Sequence, residues 1–219
     1  MFDNIQNIEK NYKIEFIRKS IHFCSLSIPV VYFFIDKITT LSILIPITAL
    51  FVVFDLARYY YQPAAKLFYK YFGWLLRNYE IDNKRKRLNG ASNILISAVI
   101  CVIIFPKIIT VTAFAVLIIS DSLAALIGRR FGKRKFFKKS LEGSLAFIGG
   151  GFLVILLTPK VDYFYAEYLI AAFAVVVAAF FEAASTVIDD NFTVPISIGF
   201  VMWLLYLLFL PTFNLYIIG

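Results

Sequence analysis

The sequence predicts an all-α integral membrane protein of about seven transmembrane helices with a cytoplasmic N-terminus. Three observations carry that prediction. Of 219 residues, 61% are hydrophobic, 18% are aromatic and only 16% are charged, where soluble domains carry roughly 25% charge. The apolar residues fall into separate runs near the length of a bilayer span, and mean hydropathy is +0.81. The basic residues gather between alternate runs. A soluble chain of this length has no interior for so much apolar surface, which excludes an ordinary cytosolic enzyme, a disordered chain and a disulfide-stapled one.

Taken in order, the chain opens with a polar stretch over residues 1–20, which lacks the charged-then-apolar pattern of a cleaved signal peptide. Apolar runs follow at Ile21–Ile35, Thr39–Phe54, Asn93–Phe105, Ile108–Ile127, Ser144–Leu157, Tyr168–Ile188 and Val194–Leu210. Pro106, Pro159 and Pro211 punctuate their ends, where a helix must stop or bend. Tyr59–Leu76 is aromatic-rich and only moderately apolar, with Lys66, Lys70 and Arg77 spaced to snorkel, and reads as an interfacial helix. Gly149-Gly150-Gly151 and the small residues of Ala171–Ala184 predict close helix packing and no ligand loop.

Charge sets the orientation. Net charge is +8, and nineteen of the 22 Lys and Arg residues lie in residues 1–20, 58–90 and 128–143. Lys37, Lys107 and Lys160 remain for the other side, so the basic segments are expected to be cytoplasmic and the C-terminus outside. The basic excess is thus a topology signal, and no nucleic-acid partner is expected. Cys24 and Cys101 lie in apolar runs without CxxC spacing and predict packed, inert thiols. The whole of 1–219 reads as one membrane-embedded domain.

Four polar groups interrupt this pattern. The first is Asp121, about two turns inside the membrane from a basic loop that holds Gly128, Arg129, Gly132 and Lys133, then Lys139, Ser140, Glu142, Gly143 and Ser144. An acid at that depth needs a polar cavity, a cation or a partner. Glycines that admit a phosphate, cations that neutralise it and a helix N-terminus together make an anion cradle; a positive-inside loop before an N-capped helix reads the same residues without a ligand. The second group is Glu182, Asp189, Asp190 and Asn191, before Pro195. Glu182 and Asp189 are seven apart, so they share a face if the helix continues. Carboxylates at a helix C-terminus oppose its dipole, and suggest a hard cation such as Mg²⁺ or, alternatively, a solvated helix end. Glu15, Arg18, Lys19 and His22 form a third group. Arg77 and Glu80, followed by Asn89-Gly90, form a fourth; Arg77 and Glu80 also read as a surface ion pair.

In order and spacing these residues resemble the CTP-dependent lipid-alcohol kinases, which include dolichol kinase, yeast-type diacylglycerol kinase and phytol kinase. The motifs are Glu-x-x-Arg-Lys-x-x-His (15–22), Arg-x-x-Glu with a following Asn-Gly (77–90), Asp-x-x-Ala-x-x-x-Gly-Arg-x-x-Gly-Lys (121–133), Lys-Ser-x-Glu-Gly-Ser (139–144), and Glu182 with Asp-Asn-x-x-x-Pro (190–195). The middle stretch is also similar to CTP:phosphatidate cytidylyltransferases, but the chain lacks their Gly-His-Gly-Gly signature and a second His.

The resemblance implies a membrane kinase that moves the γ-phosphoryl of CTP, or of another nucleoside triphosphate, to the hydroxyl of a membrane lipid alcohol. The active site would face the cytoplasm, at the cell membrane or, in a eukaryote, the endoplasmic reticulum. It implies Arg129, Lys133 and Lys139 on the nucleotide phosphates, with Gly128, Gly132, Ser140, Glu142, Gly143 and Ser144 beside them. Asp189, Asp190 and Asn191 would hold Mg²⁺, and Asp121 or Glu182 would orient the hydroxyl. Arg18, Lys19, His22, Arg77, Glu80 and Asn89 would steady the lipid's polar end or a phosphate. The alternatives are a cytidylyltransferase using the same cradle, and an ion-coupled transporter with Asp121, Glu182 and Asp189 as a relay. The acids gather on one side, leaving Asp36, Asp162 and Glu167 near the other, which counts against transport.

Overall fold

The structure, a computed structural model, describes residues 2–76, 87–185 and 189–216, with side chains from residue 12 onward. Nine α-helices occur among the described residues: α1 Phe2–Cys24, α2 Ser27–Phe34, α3 Lys37–Tyr60, α4 Gln62–Phe72, α5 Gly90–Ile104, α6 Lys107–Phe131, α7 Leu141–Leu157, α8 Tyr165–Ala184 and α9 Asp190–Phe209. A 3-10 turn, Gly73–Leu75, follows α4, and a two-stranded hairpin, β1 Lys135–Phe136 and β2 Lys139–Ser140, lies between α6 and α7. Among the described residues the fold is all-α apart from that hairpin. Four helices, α3, α6, α8 and α9, are long and apolar enough to cross a membrane; α5 and α7 are shorter apolar helices.

Several boundaries differ from the sequence reading, each for a local reason. The polar N-terminal stretch is helical from Phe2, and the first apolar run is broken between α1 and α2. Pro29 has no N–H to give the Ser25 carbonyl, which accepts from Ile28 N at 3.0 Å instead, and the chain tightens into a turn there. α3 runs on to Tyr60, so Arg58 belongs to a helix and not to the 58–90 loop. α4 is a separate helix, as the aromatic stretch suggested. The helix expected over Tyr168–Ile188 ends at Ala184, and Asp189 is the N-cap of α9, accepting from Asn191 N at 3.0 Å. Its acids therefore sit at a helix N-terminus, where the dipole favours them. Pro195 lies within α9 and does not break it. The carbonyl it leaves free, that of Asn191, accepts from Ser97 Oγ of α5 at 2.9 Å.

α6 is the hub: 83% of its apolar window is buried, and α1, α2, α7 and α9 pack around it. The α6–α7 interface is the most extensive. A Cβ on Gly150 would meet Leu123 Cδ1 at 2.8 Å, and one on Gly151 would meet Val175 of α8 at 2.5 Å. Gly149 meets nothing within 4 Å, so two of the three glycines account for close packing. Cys101 is fully buried and Cys24 exposed, both as free thiols.

Candidate functional site

The elements converge at one end of the bundle. Glu15, Lys19 and His22 recur at helical spacing and put one face of α1 against α6. Lys19 Nζ donates to Asp121 Oδ2, and His22 Nε2 lies 3.6 Å from the same oxygen. Four residues earlier on α1, Glu15 Oε2 accepts from Arg18 at 3.0 Å and meets Arg129 at 2.8 Å. Lys19 with Asp121 and Glu15 with Arg129 thus form two rungs between antiparallel helices.

The hairpin delivers the second half. Lys138 N donates to the Ala183 carbonyl at 3.4 Å, and the Phe137 ring meets Phe180 edge-on at 5.1 Å, so the hairpin is fastened to the end of α8. Its next residue, Lys139, donates to Glu182 Oε1 and, at 3.0 Å, to Asp190 Oδ2. Burial works to lower the pKa of Lys139, but the Asp190 and Glu182 carboxylates outweigh it and hold the ammonium above its ordinary value. Ser140 then caps α7, its Oγ accepting from Gly143 N at 3.2 Å.

Asp121, Glu182 and Asp190, from α6, α8 and α9, bring one carboxylate oxygen each within 4.8 Å of one another. Glu182 is 1% exposed, and its Oε2 is buried with no hydrogen-bond partner. A cavity of about 320 Å³ opens beside them, lined by Glu15, Ala124, Ala125, Gly128, Arg129, Lys138, Lys139, Ser140, Gly143 and Glu182. An oxygen-only donor set with one orphaned carboxylate oxygen fits a hard divalent cation such as Mg²⁺. The cationic rim of Arg129, Lys138 and Lys139 suits phosphate.

The expected residues divide accordingly. Asp121, Glu182, Lys139, Lys19, His22, Arg18 and Arg129 meet in this one constellation. Asp190 joins it, whereas Asp189 Oδ1 is taken up by Asn191 N and, at 2.6 Å, by Asn191 Nδ2. Gly128 and Gly143 line the cavity, but they also face each other across α6 and α7. A Cβ on Gly143 would meet the Ala124 carbonyl at 3.0 Å, and one on Gly132 would meet Ser140 Oγ at 2.7 Å. The close approach of α6, the hairpin and α7 is thus one reason for glycine at these positions. Glu142 turns to the hairpin, accepting from Arg134 N at 3.2 Å. Lys133 is exposed. Ser144 is buried, its Oγ without a partner. Asn89 caps α5 by accepting from Ser92 N at 2.9 Å. Arg77 and Glu80 lie outside the described residues.

Two features were not anticipated. Glu15 belongs to a quoted motif, yet its role as the carboxylate shared by Arg18 and Arg129 depends on the far end of α6, distant in sequence. Asp55 and Arg58 form a buried pair at the site end of α3, and the only signal was two opposite charges three apart at the edge of an apolar run.

Comparison with known proteins adds two findings. A curated protein of Rickettsia prowazekii, described as uncharacterized, is 27% identical over 194 residues, 86% of this chain and 93% of that one. A phytol kinase of Synechocystis is 32% identical over 89 residues, 38% of each chain. This partial likeness suggests a lipid kinase-like family. No family model matches the chain, and no solved structure matches it significantly.

Proposed function

We propose that the protein is a membrane kinase that transfers the γ-phosphoryl of CTP to the hydroxyl of a membrane lipid alcohol, of the prenol, polyprenol or diacylglycerol class. The observation that carries this reading is the meeting of five separate segments at Lys139, Glu182, Asp190, Asp121 and Lys19, beside a cavity rimmed by cations. The partial likeness to a phytol kinase supports the acceptor class.

Phosphoryl transfer asks for positioning and charge neutralisation more than for covalent chemistry. Arg129, Lys138 and Lys139 hold the triphosphate at the cavity rim. The lipid hydroxyl oxygen attacks the γ-phosphorus while the bond to the bridging oxygen breaks, CDP leaves, and the hydroxyl proton passes to Asp121 or Glu182. Asp190, with whichever of Glu182 and Asp121 does not take the proton, would hold Mg²⁺, a hard cation that supplies charge neutralisation for the phosphates. In the structure Lys19 and Lys139 already balance part of that acidic charge, which keeps three carboxylates together in a low-dielectric setting. The α1–α2 pair, α3, α5, α6, α7, α8 and α9 make seven crossings in this reading, with the site and the N-terminus at the cytoplasmic face.

The test is transfer of label from γ-labelled CTP to a panel of prenols and diacylglycerol in detergent micelles. Wild type should yield a labelled lipid monophosphate, and Asp121→Asn should lose at least 100-fold of that rate while inserting and folding normally. Unchanged transfer in Asp121→Asn would overturn the site assignment.

A further inference from the structure

Among the helices able to span a bilayer, α3 is the most exposed, with only 17% of its apolar window buried. Yet at its site end it turns two charges inward: Asp55 is 1% and Arg58 3% exposed. Arg58 Nε lies 3.0 Å from Asp55 Oδ1, and its guanidinium sits between the Tyr59 and Phe68 rings, at 4.7 and 4.8 Å from their centroids. A buried ion pair is costly to form and is retained where it fixes something.

What it fixes is the head of α5. Asp55 Oδ2 accepts from Asn89 N at 2.7 Å. Arg58 and Tyr59 OH both donate to the Arg87 carbonyl, at 2.8 and 2.6 Å. α5 in turn registers the start of α9 at two points. A Cβ on Gly90 would lie 3.2 Å from Asn191 Nδ2, and Ser97 donates to the Asn191 carbonyl that Pro195 leaves free. Asn191 follows Asp190, whose carboxylate faces Lys139 and the other two acids.

We propose that Asp55 and Arg58 are positioning residues for the Asp190 carboxylate, acting through residues 87–90 and Asn191 from outside the site. The relay rests on the reading that Asp121, Glu182 and Asp190 hold a divalent cation. It does not require that the acceptor be a lipid alcohol.

The experiment uses full-length protein in micelles with Mn²⁺ as the probe, the bound fraction read by electron paramagnetic resonance. Asp55→Ala and Arg58→Lys should each weaken Mn²⁺ binding about tenfold or more. Asp55→Asn should lose less, because its amide oxygen still accepts from Asn89 N. Gly90→Ala, pressing on Asn191 from the same side, should also weaken binding. Glu167→Gln is the control: Glu167 is buried, accepts from Tyr206 OH at 2.9 Å and from loop amides, and belongs to the far end of the bundle. It should lower Tm and leave Mn²⁺ affinity unchanged.

In turnover, Arg58→Lys should raise the Mg²⁺ half-saturation while leaving kcat at saturating Mg²⁺ near wild type. If Asp55→Ala does not fold, Arg58→Lys and Asp55→Asn carry the comparison. Unchanged Mn²⁺ affinity in Arg58→Lys, or an equal loss in Glu167→Gln, overturns the relay. Wild type that binds no Mn²⁺ overturns the cation reading and the relay together.

Discussion

Lys139 ties the hairpin to α8 and α9 through Glu182 and Asp190, so its loss leaves two buried carboxylates without their ammonium. Lys139→Met should lower lipid phosphorylation at least 100-fold, roughly 2.7 kcal/mol in the barrier, in the labelled-transfer assay. A loss under threefold would remove Lys139 from the phosphate-binding role. At the far end Lys160 gives a prediction in pH. Its Nζ donates to the Ile155 and Thr158 carbonyls at 2.7 and 2.8 Å, and burial brings its pKa down to about 8, against the opposing pull of Glu167. Unfolded lysines titrate near 10.4, so between about pH 8 and 10.4 the unfolded chain binds more protons and stability rises with pH. Tm should therefore be higher at pH 9.5 than at 7.5, and Lys160→Met should flatten that difference. Single residues were unevenly legible in the sequence. Asp121 and Glu182 stood out because an acid in an apolar run is rare. Asp55 and Arg58 did not, because their positions at the end of a run read equally well as a solvated helix end.

At the scale of elements, the site depends on how closely α6 and α7 approach around Ser140. Gly132→Ala would place a Cβ 2.7 Å from Ser140 Oγ and 2.2 Å from the Gly128 carbonyl. Overpacking of this kind costs about 1–3 kcal/mol, so Tm measured in micelles should fall by several degrees. Gly149→Ala, inside α7, meets nothing within 4 Å and should leave Tm within a degree or so. Elements with a long apolar period were readable from sequence: α3, α6, α8 and α9 appear where the runs lie. The hairpin was not, because strands of two residues carry no period; Lys135 pairs with Ser140 and Phe136 with Lys139, and its tip is fastened to α8 through Lys138 and Phe137. The break after Ala184 was also hidden. The pattern around Glu182 to Asp189 fits one continuous helix, but Ser185 turns to extended backbone and Asp189 caps a new helix.

Across the whole molecule, the carboxylate cluster and its cations share one end of the bundle, and the sparse lysines of the short loops the other. Glu15, Asp121, Lys139, Glu182 and Asp190 occupy one end, while Lys37 donates to the Ile103 carbonyl and Lys107 to the Ile35 carbonyl at the other, at 2.8 and 2.9 Å. An impermeant maleimide applied to intact cells should label Asp162→Cys and spare Lys135→Cys; the reverse pattern would invert the topology. The most direct measurement identifies the nucleotide released when purified protein meets Mg²⁺, CTP or ATP, and a lipid alcohol. CDP formed in equal amount to lipid monophosphate, and only when the alcohol is present, is the predicted result. Pyrophosphate released on addition of phosphatidate, or no nucleotide turnover with any lipid, would contradict the kinase account.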